Sequence, residues 1–156
     1  ASGPTMGHLV RLSDHKEPKK IAWLQCVGSR DINQCDHAYC SSVCCMASTK
    51  EAVIARDHHS DLEPTIFYMD LRAQGKGFDA YCERAEKKSS VRYIRSMISR
   101  VAENPATKDL VVLPVFLGSR SLRRKINYAF GFEPLRLAGC TPIFAVSQRR
   151  FVNNAG

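Results

Sequence analysis

Residues 19–26, which read Lys-Lys-Ile-Ala-Trp-Leu-Gln-Cys, indicate how the chain begins to fold. The apolar run within them has the length of a strand, and the loop signal Val27-Gly28-Ser29 follows it. Such a run predicts a buried strand that leads into a loop. Cys26 therefore lies at the carboxyl end of a predicted strand.

A helix is predicted after the polar loop from Arg30 to Tyr39. Residues 41–56 contain good helix formers, and Ser41 or Ser42 is available as an N-cap. The apolar face assigned to this helix consists of Val43, Met46, Ala47 and Ile54. Strand, loop and helix are thus expected in that order.

The alternation of elements continues along the chain. A second strand is predicted at 65–69, closed by Asp70, and a third at 91–94. Between them lies the stripe of an amphipathic helix, formed by Phe78, Tyr81, Cys82 and Ala85. Two more apolar stretches, 98–102 and 110–113, flank a turn-like segment and are expected to pair as a hairpin.

Strands that alternate with helices predict an α/β fold with an open, mainly parallel sheet and flanking helices. Ligands of such sheets collect at the carboxyl ends of the strands, which is where Cys26 lies. Asp70 ends the second strand, where a dinucleotide-binding fold would contact a ribose hydroxyl. The glycine-rich GxGxxG turn that such binding needs does not occur in the sequence, so this role of Asp70 is disfavoured.

The bulk composition fits one compact domain, since the chain has 156 residues of which 44% are apolar. No apolar run approaches the roughly 18 residues that span a bilayer, and the N-terminus lacks the layout of a secretion signal. We expect a cytoplasmic protein without membrane insertion. Because the chain begins with Ala1 and no strand or helix start precedes Gly3-Pro4, a fragment of a longer protein is expected.

The net charge of +8 is concentrated near the C-terminus. Residues 118–156 carry seven Lys or Arg side chains against Glu133 alone, whereas the preceding part is nearly balanced. A basic segment can bind phosphate, but no aromatic ladder or nucleic-acid motif accompanies it. The favoured interpretation is a solvated surface that does not bind nucleic acid.

Seven cysteines are the most specific feature of the sequence, and five of them lie between Cys26 and Cys45. A reducing compartment disfavours disulfides, so a metal site is the first hypothesis. Cysteine thiolates at a strand end and a helix start suit an iron–sulfur cluster, whose negative charge backbone N–H groups can offset. Zinc is the main competitor, although no CxxC pair occurs, and buried or redox-active thiols are a third possibility.

Three strings of the sequence resemble the family of A-type subunits of heterodisulfide reductase: residues 7–11, 20–31 and 39–46. The similarity continues through residues 50–52, 67–72, 75–78 and 91–95, and covers roughly residues 1–112. The resemblance implies that Cys26, Cys40, Cys44 and Cys45 bind a [4Fe-4S] cluster and that Cys35 does not. It also implies that the domain occupies the position of the nicotinamide-binding domain in a thioredoxin-reductase-like flavoprotein.

The function implied by this resemblance is electron transfer within an oxidoreductase. The cluster would relay electrons to or from the FAD of the full-length parent protein, and the fragment is expected to be inactive alone. The implied partners are other heterodisulfide reductase subunits and a hydrogenase or formate dehydrogenase component. The alternative from a different class is a structural zinc-binding interaction module.

These observations predict that the chain divides into two regions. Residues 1–112 form the iron–sulfur-binding α/β domain, and residues 113–156 form a divergent basic tail, interpreted as a remnant of the segment that returns to the FAD domain. Cys82 lies on the apolar helix stripe and is expected to be a core thiol. Trp23 is likewise expected in the core.

Overall fold

The computed structural model describes residues 8–11, 15–36, 38–106, 109–116 and 135–137. This part of the chain has α/β architecture, with five strands in one sheet and three helical segments. In chain order the elements are β1 (Lys20–Leu24), α1 (Ile32–Cys35), α2 (Cys44–His58), β2 (Glu63–Tyr68), α3 (Phe78–Lys87), β3 (Arg92–Glu103), β4 (Leu110–Phe116) and β5 (Leu135–Leu137).

The spatial order of the strands follows their order in sequence. Strands β1, β2 and β3 are parallel, and α2 and α3 form the crossovers between them. The pairs β3–β4 and β4–β5 are antiparallel. The predicted α/β class, with an open sheet and flanking helices, is confirmed for the described residues.

Strand β3 differs from its prediction because it is one strand of 12 residues rather than two separate apolar stretches. The register shifts between Ile98 and Arg100, so a bulge interrupts the pairing with β4 without ending the strand. The hairpin expected from the sequence is present, since residues 96–103 pair with residues 110–116. The strand bridges the parallel and antiparallel halves of the sheet.

The side chains of β1 alternate between two apolar clusters, one on each face of the sheet. Ile21 and Trp23 pack with residues of both crossover helices, including Ala52 and Ala85. The other cluster, formed with the hairpin, consists of Ala22, Leu24, Phe67 and Val112, with Ile94, Ile98 and Leu110 packed against it. Trp23 is 1% exposed, and its indole N–H donates to Glu51 at 2.9 Å, so its core position is confirmed.

Helix α2 packs through a different face from the one expected from the sequence. Val43 and Ile54, placed on the buried face by prediction, are 66% and 45% exposed. The buried residues of α2 are small or sulfur-containing: Cys44, Cys45, Ser48, Thr49, Ala52 and Ala55. Small side chains let the helix lie close to the sheet. Serine and threonine are mostly exposed in proteins, so the sequence pattern did not indicate that Ser48 and Thr49 are buried.

The N-terminus of α2 also differs from its prediction. The helix begins at Cys44 with Val43 as N-cap, and no side chain in the described part of the chain caps it by hydrogen bonding. Neither Ser41 nor Ser42 therefore acts as the N-cap. Ser42 instead has a φ of 59°, in the left-handed region that non-glycine residues seldom occupy. The chain turns sharply immediately before the helix.

Helix α3 buries Cys82 and Ala85, as its predicted stripe requires, while Phe78 stays 41% exposed. Gly77 precedes the helix with a φ of 81°, a conformation that favours glycine. No helix in the described ranges is long and apolar enough to cross a membrane.

The expected division of the chain at residue 112 stays a prediction. Strand β4 runs across this position, and β5 lies within the expected tail and pairs with β4. The other residues of the tail, 117–134 and 138–156, lie outside the described residues.

Candidate metal centre

The carboxyl end of β1 carries the first predicted ligand. Cys26 follows Gln25 directly after the strand, is partly buried, and has a φ of 63°. The parallel neighbour β2 ends beside it, since Leu24 is in register with Phe67 and the backbone N–H of Gln25 donates to the carbonyl of Phe67 at 2.8 Å. The residues after β2, from Met69 to Arg72, therefore lie at the same edge of the sheet as Cys26.

The first turn of α2 carries two more predicted ligands, Cys44 and Cys45, which are 6% and 1% exposed. Cys40 lies in the preceding loop and is partly buried. None of these thiols is in a disulfide. Cys35 lies in α1, and its side chain is outside the described part of the structure.

Backbone N–H groups point at these sulfur atoms. The N–H of Arg72 donates to Cys45 Sγ at 3.4 Å, and the N–H of Ser42 donates to Cys40 Sγ at 3.4 Å. Backbone hydrogen bonds from Met69 and Asp70 lower the pKa of Cys26. Donors of this kind stabilise negative charge on sulfur, which is the charge that a metal-bound thiolate carries.

Burial opposes that charge in the metal-free chain. Desolvation is the main reason that the pKa of Cys26 is raised, and the neighbouring thiols Cys44 and Cys40 add to the rise. The pKa of Cys45 is raised well above its ordinary range by its hydrogen bond with Cys44 and by burial, with Cys26 adding a smaller contribution. The four thiols therefore interact with one another, and without a cation the two with raised pKa values stay protonated at neutral pH.

The thiols are neighbours but do not yet form a closed coordination site. Within residues 8–11, 15–36, 38–106, 109–116 and 135–137, no three side chains of His, Cys, Asp or Glu are grouped as a metal ion would require. The described thiols are therefore not grouped closely enough to hold a single metal ion. The loop before α2, which contains Cys40, connects the two elements that carry the other thiols.

Two arginines and one aspartate form an ion-pair network beside the thiols. Asp70 Oδ2 accepts from Arg30 Nη1 at 2.7 Å, and Asp70 Oδ1 accepts from Arg95 Nη2 at 3.0 Å. The hydrogen bond from Arg30 is the main reason that the pKa of Asp70 is lowered. Arg30 in turn has its pKa raised by Asp70 and, to a smaller extent, by Cys26 and Cys40, so its guanidinium lies within electrostatic reach of the thiols.

A buried hydrogen bond ties the end of β1 to α2. Gln25 Nε2 donates to Ser48 Oγ at 2.5 Å, and both side chains are buried. Gln25 Oε1 is also buried, and none of the described residues hydrogen-bonds to it. Gln25 precedes Cys26, and Ser48 lies one turn beyond Cys44, so this bond fixes the two ligand-bearing elements relative to each other.

Cys82 is placed apart from this group, as predicted for a core thiol. It is 6% exposed, and its sulfur lies 3.9 Å from Thr49 Oγ1. Thr49 Oγ1 also lies 3.0 Å from the hydroxyl of Tyr93. These contacts give the thiol and the hydroxyls partners inside the helix-covered core.

The groups that surround the four cysteines were not predicted from the sequence. Arg30, Gln25, Ser48 and Arg95 received no role, and Asp70 was considered only as a ribose contact. One signal could have found three of them. Gln25, Arg30 and Asp70 all lie at or shortly after the carboxyl ends of predicted parallel strands, where side chains of different strands meet.

The similarity of this chain to known proteins shows which family it belongs to. No protein-family model matches the chain. The chain is 48% identical over 112 residues to an A-type iron–sulfur subunit of CoB–CoM heterodisulfide reductase from Methanopyrus kandleri, covering 72% of the chain and 17% of that protein. It is 45% identical over 111 residues to the A-type subunit of the H2/formate:CoB–CoM heterodisulfide,ferredoxin reductase of Methanococcus maripaludis, covering 71% of the chain and 17% of that protein.

A third relative matches over a longer stretch. The A-type subunit of the ferredoxin/F420H2-dependent CoB–CoM heterodisulfide reductase of Methanosarcina acetivorans is 38% identical over 141 residues, which is 88% of the chain and 18% of that protein. The chain thus spans less than a fifth of the length of the curated relatives that it matches. The resemblance seen in the sequence is confirmed, and the chain belongs to the family of A-type iron–sulfur subunits of CoB–CoM heterodisulfide reductase.

Proposed function

We propose that this chain is an electron-transfer segment of a heterodisulfide-reductase-type oxidoreductase and holds a [4Fe-4S] cluster through Cys26, Cys40, Cys44 and Cys45. The observation that supports the proposal is the geometry at the carboxyl ends of β1 and β2: Cys26 follows β1, and the backbone N–H groups of Arg72 and Ser42 donate to Cys45 Sγ and Cys40 Sγ. A bound cluster supplies one-electron transfer without bond-making chemistry.

The donor set fits an iron–sulfur cluster in three respects. All four side chains are thiols, and Cys44 and Cys45 are buried from water. The pKa of Cys26 and that of Cys45 are raised by burial and by the other thiols, a cost that bound iron cations would remove as protons leave. Backbone donors at Ser42 and Arg72 suit sulfur that carries negative charge.

In this function the residues of the chain would bind the cluster, shield it from water and hold its ligands in position. Trp23, Phe67 and the other core residues form a rigid base for the strand ends. The Gln25–Ser48 hydrogen bond holds β1 against α2. We assign no catalytic residue to the chain, because the proposed role is relay of electrons to or from the FAD of a longer parent protein.

The wider setting is part of the proposal and rests on the family. We infer that the domain occupies the nicotinamide-domain position of a thioredoxin-reductase-like flavoprotein located in the cytoplasm. The names of relatives refer to H2, formate, ferredoxin and F420H2. We accordingly propose other heterodisulfide reductase subunits and a hydrogenase or formate dehydrogenase component as partners.

Anaerobic reconstitution of the chain with iron and sulfide tests the proposal. Iron and sulfide analysis should give a cubane stoichiometry, with a broad visible absorption band that a reductant bleaches. A colourless protein that instead retains zinc through the same cysteines would favour the structural zinc module. Retention of neither metal would contradict the proposed function in both forms.

A further inference from the structure

Asp70 is held in place from both sides at the edge of the sheet that carries the thiols. Its two carboxylate oxygens accept hydrogen bonds from Arg30 at 2.7 Å and from Arg95 at 3.0 Å. Arg95 also donates through Nε to the carbonyl of Met69 at 2.9 Å. Arg95 lies opposite Tyr68 in the register, so a neighbouring strand anchors the residues that follow β2.

The same short segment contacts the thiols through its backbone. The N–H of Arg72 donates to Cys45 Sγ at 3.4 Å, and Cys45 Sγ donates to the carbonyl of Asp70 at 3.8 Å. Side-chain contacts at Asp70 therefore fix the backbone groups that meet the sulfur of Cys45. A change at the carboxylate would be transmitted to the thiols through one or two peptide units.

The network also carries a net positive charge. Two guanidinium groups surround one carboxylate. The backbone N–H of Arg30 donates to the carbonyl of Tyr39 at 3.2 Å, which places Arg30 beside the residue that precedes Cys40. A four-thiolate iron–sulfur cluster is anionic, and reduction adds one more negative charge. A nearby positive charge therefore favours the reduced state and raises the reduction potential.

We infer, on the basis of the cluster site proposed above, that Asp70 is a positioning residue: it holds Arg30 beside the cluster and, together with Arg95, fixes the 69–72 backbone that hydrogen-bonds to the ligand sulfurs. Arg30 sets the reduction potential through its charge. This role differs from ribose binding, because both carboxylate oxygens of Asp70 are engaged by arginine.

The test uses the whole 156-residue chain, reconstituted with iron and sulfide, in the variants Asp70→Asn, Arg30→Gln and Arg30→Lys. Glu63→Gln is the matched control, because it removes an ion pair, Lys20–Glu63, from the opposite end of β1 and β2. The measurements are the rate of cluster loss to an iron chelator, the midpoint potential from an optical redox titration, and the electron paramagnetic resonance spectrum of the reduced state.

Asp70→Asn and Arg30→Gln should both lose the cluster about 10- to 100-fold faster than the unmodified chain, the usual effect of removing a group that orients a metal ligand. Arg30→Gln removes the positive charge and should therefore lower the potential. Asp70→Asn leaves the guanidinium charged but no longer fixed by the ion pair, so its main effect should be the faster loss of the cluster. Arg30→Lys keeps the charge and should restore the potential, although not the full retention of the cluster.

Each result supports or overturns the inference. Equal potentials in Arg30→Gln and Glu63→Gln would overturn the role of Arg30. Cluster loss in Asp70→Asn that is no faster than in Glu63→Gln would overturn the role of Asp70. If circular dichroism shows that Asp70→Asn is unfolded, the comparison of Arg30→Gln with Arg30→Lys tests the inference by itself. If the unmodified chain retains no iron and sulfide after reconstitution, the proposed function itself is refuted, and this inference with it.

Discussion

The two ends of β1 and β2 differ in what they place beside the same pair of strands. At the amino end, Lys20 and Glu63 form an ion pair at 3.4 Å between side chains that are 41% and 53% exposed. At the carboxyl end lie the thiols, the Asp70 network and the buried Gln25–Ser48 bond. One end is a solvated edge, and the other gathers buried polar groups.

Backbone conformation does not separate the two ends as clearly. Around the carboxyl end, Cys26, Arg30 and Ser42 have φ values of 63°, 59° and 59°, but His15 before β1 and Ser90 before β3 have similar values of 55° and 54°. The comparison teaches that this fold places its buried polar groups where the thiols lie, which is the pattern expected of a functional site.

The largest difference between the two ends should appear when the thiols are replaced. Serine at position 26, 40, 44 or 45, introduced singly, should abolish or greatly weaken cluster binding, because a hydroxyl is a poor substitute for a thiolate ligand. Iron and sulfide content after anaerobic reconstitution measures the effect. The change should exceed any caused by Lys20→Gln or Glu63→Gln at the amino end.

Two other cysteines provide controls for this prediction. Cys35→Ser and Cys82→Ser should keep most of the cluster, since the family resemblance excludes Cys35 and the structure places Cys82 in the core. Equal loss of iron in Cys35→Ser would show that the assignment of the four ligands is wrong.

The next effect concerns the buried hydrogen bond at the carboxyl end. Ser48→Ala should lower the free energy of unfolding by about 1–3 kcal/mol, because it leaves the Gln25 amide buried without a partner. Adding Gln25→Leu should recover most of this loss, since it removes the amide as well. Urea unfolding of the metal-free chain measures both variants.

Ser99→Ala is the matched control, because the Ser99 hydroxyl donates to the carbonyl of Leu113 at an exposed position. Its effect should stay within about 0.5 kcal/mol. If Ser48→Ala costs no more than Ser99→Ala, the carboxyl end is not the more demanding part of the fold.

The pH dependence of stability should reveal the charge of Asp70. Its pKa is lowered in the folded chain, mainly by the hydrogen bond from Arg30, so its contribution is present above the ordinary aspartate pKa of about 3.9 and is lost as pH falls through the lowered value. Asp70→Asn should therefore flatten the acid limb of the unfolding free energy in the metal-free chain. An acid limb identical to that of the unmodified chain would contradict this interpretation of the network.

The smallest effect is expected at the amino end. Glu63→Gln should change the free energy of unfolding by less than about 1 kcal/mol, because water and salt screen the exposed pair with Lys20. The stability of the Glu63→Gln variant should also vary little with ionic strength. A loss as large as that of Ser48→Ala would remove the contrast between the two ends.

Much of the fold could be predicted because its signals are local. The length and apolarity of β1, the stripe that buries Cys82 and Ala85, and the turn between β3 and β4 all lie within short windows of sequence. The predicted buried face of α2 was wrong because Ser48, Thr49 and cysteine pack there, and their burial depends on partners from other elements.

The site was only partly predictable for a related reason. The cysteine spacing marks the thiols, but nothing local joins Arg30 to Asp70 or Arg95, which are brought together by the parallel register of β2 and β3. Gln25 and Ser48 are 23 positions apart and likewise meet only in the folded chain. To predict such pairs, one must know which residues lie opposite each other on neighbouring strands. The sequence pattern indicates the strands but not this register.

The small buried face of α2 has a consequence for how this family diverges. Ala52 is fully buried in the helix-covered core, next to residues of β1 and β2. A larger residue at that position would tilt or lift the helix and carry Cys44 and Cys45 away from Cys26. Sequence drift at position 52 is therefore expected only with a compensating loss of bulk on the strands, so covariation there should identify relatives that keep the ligand geometry.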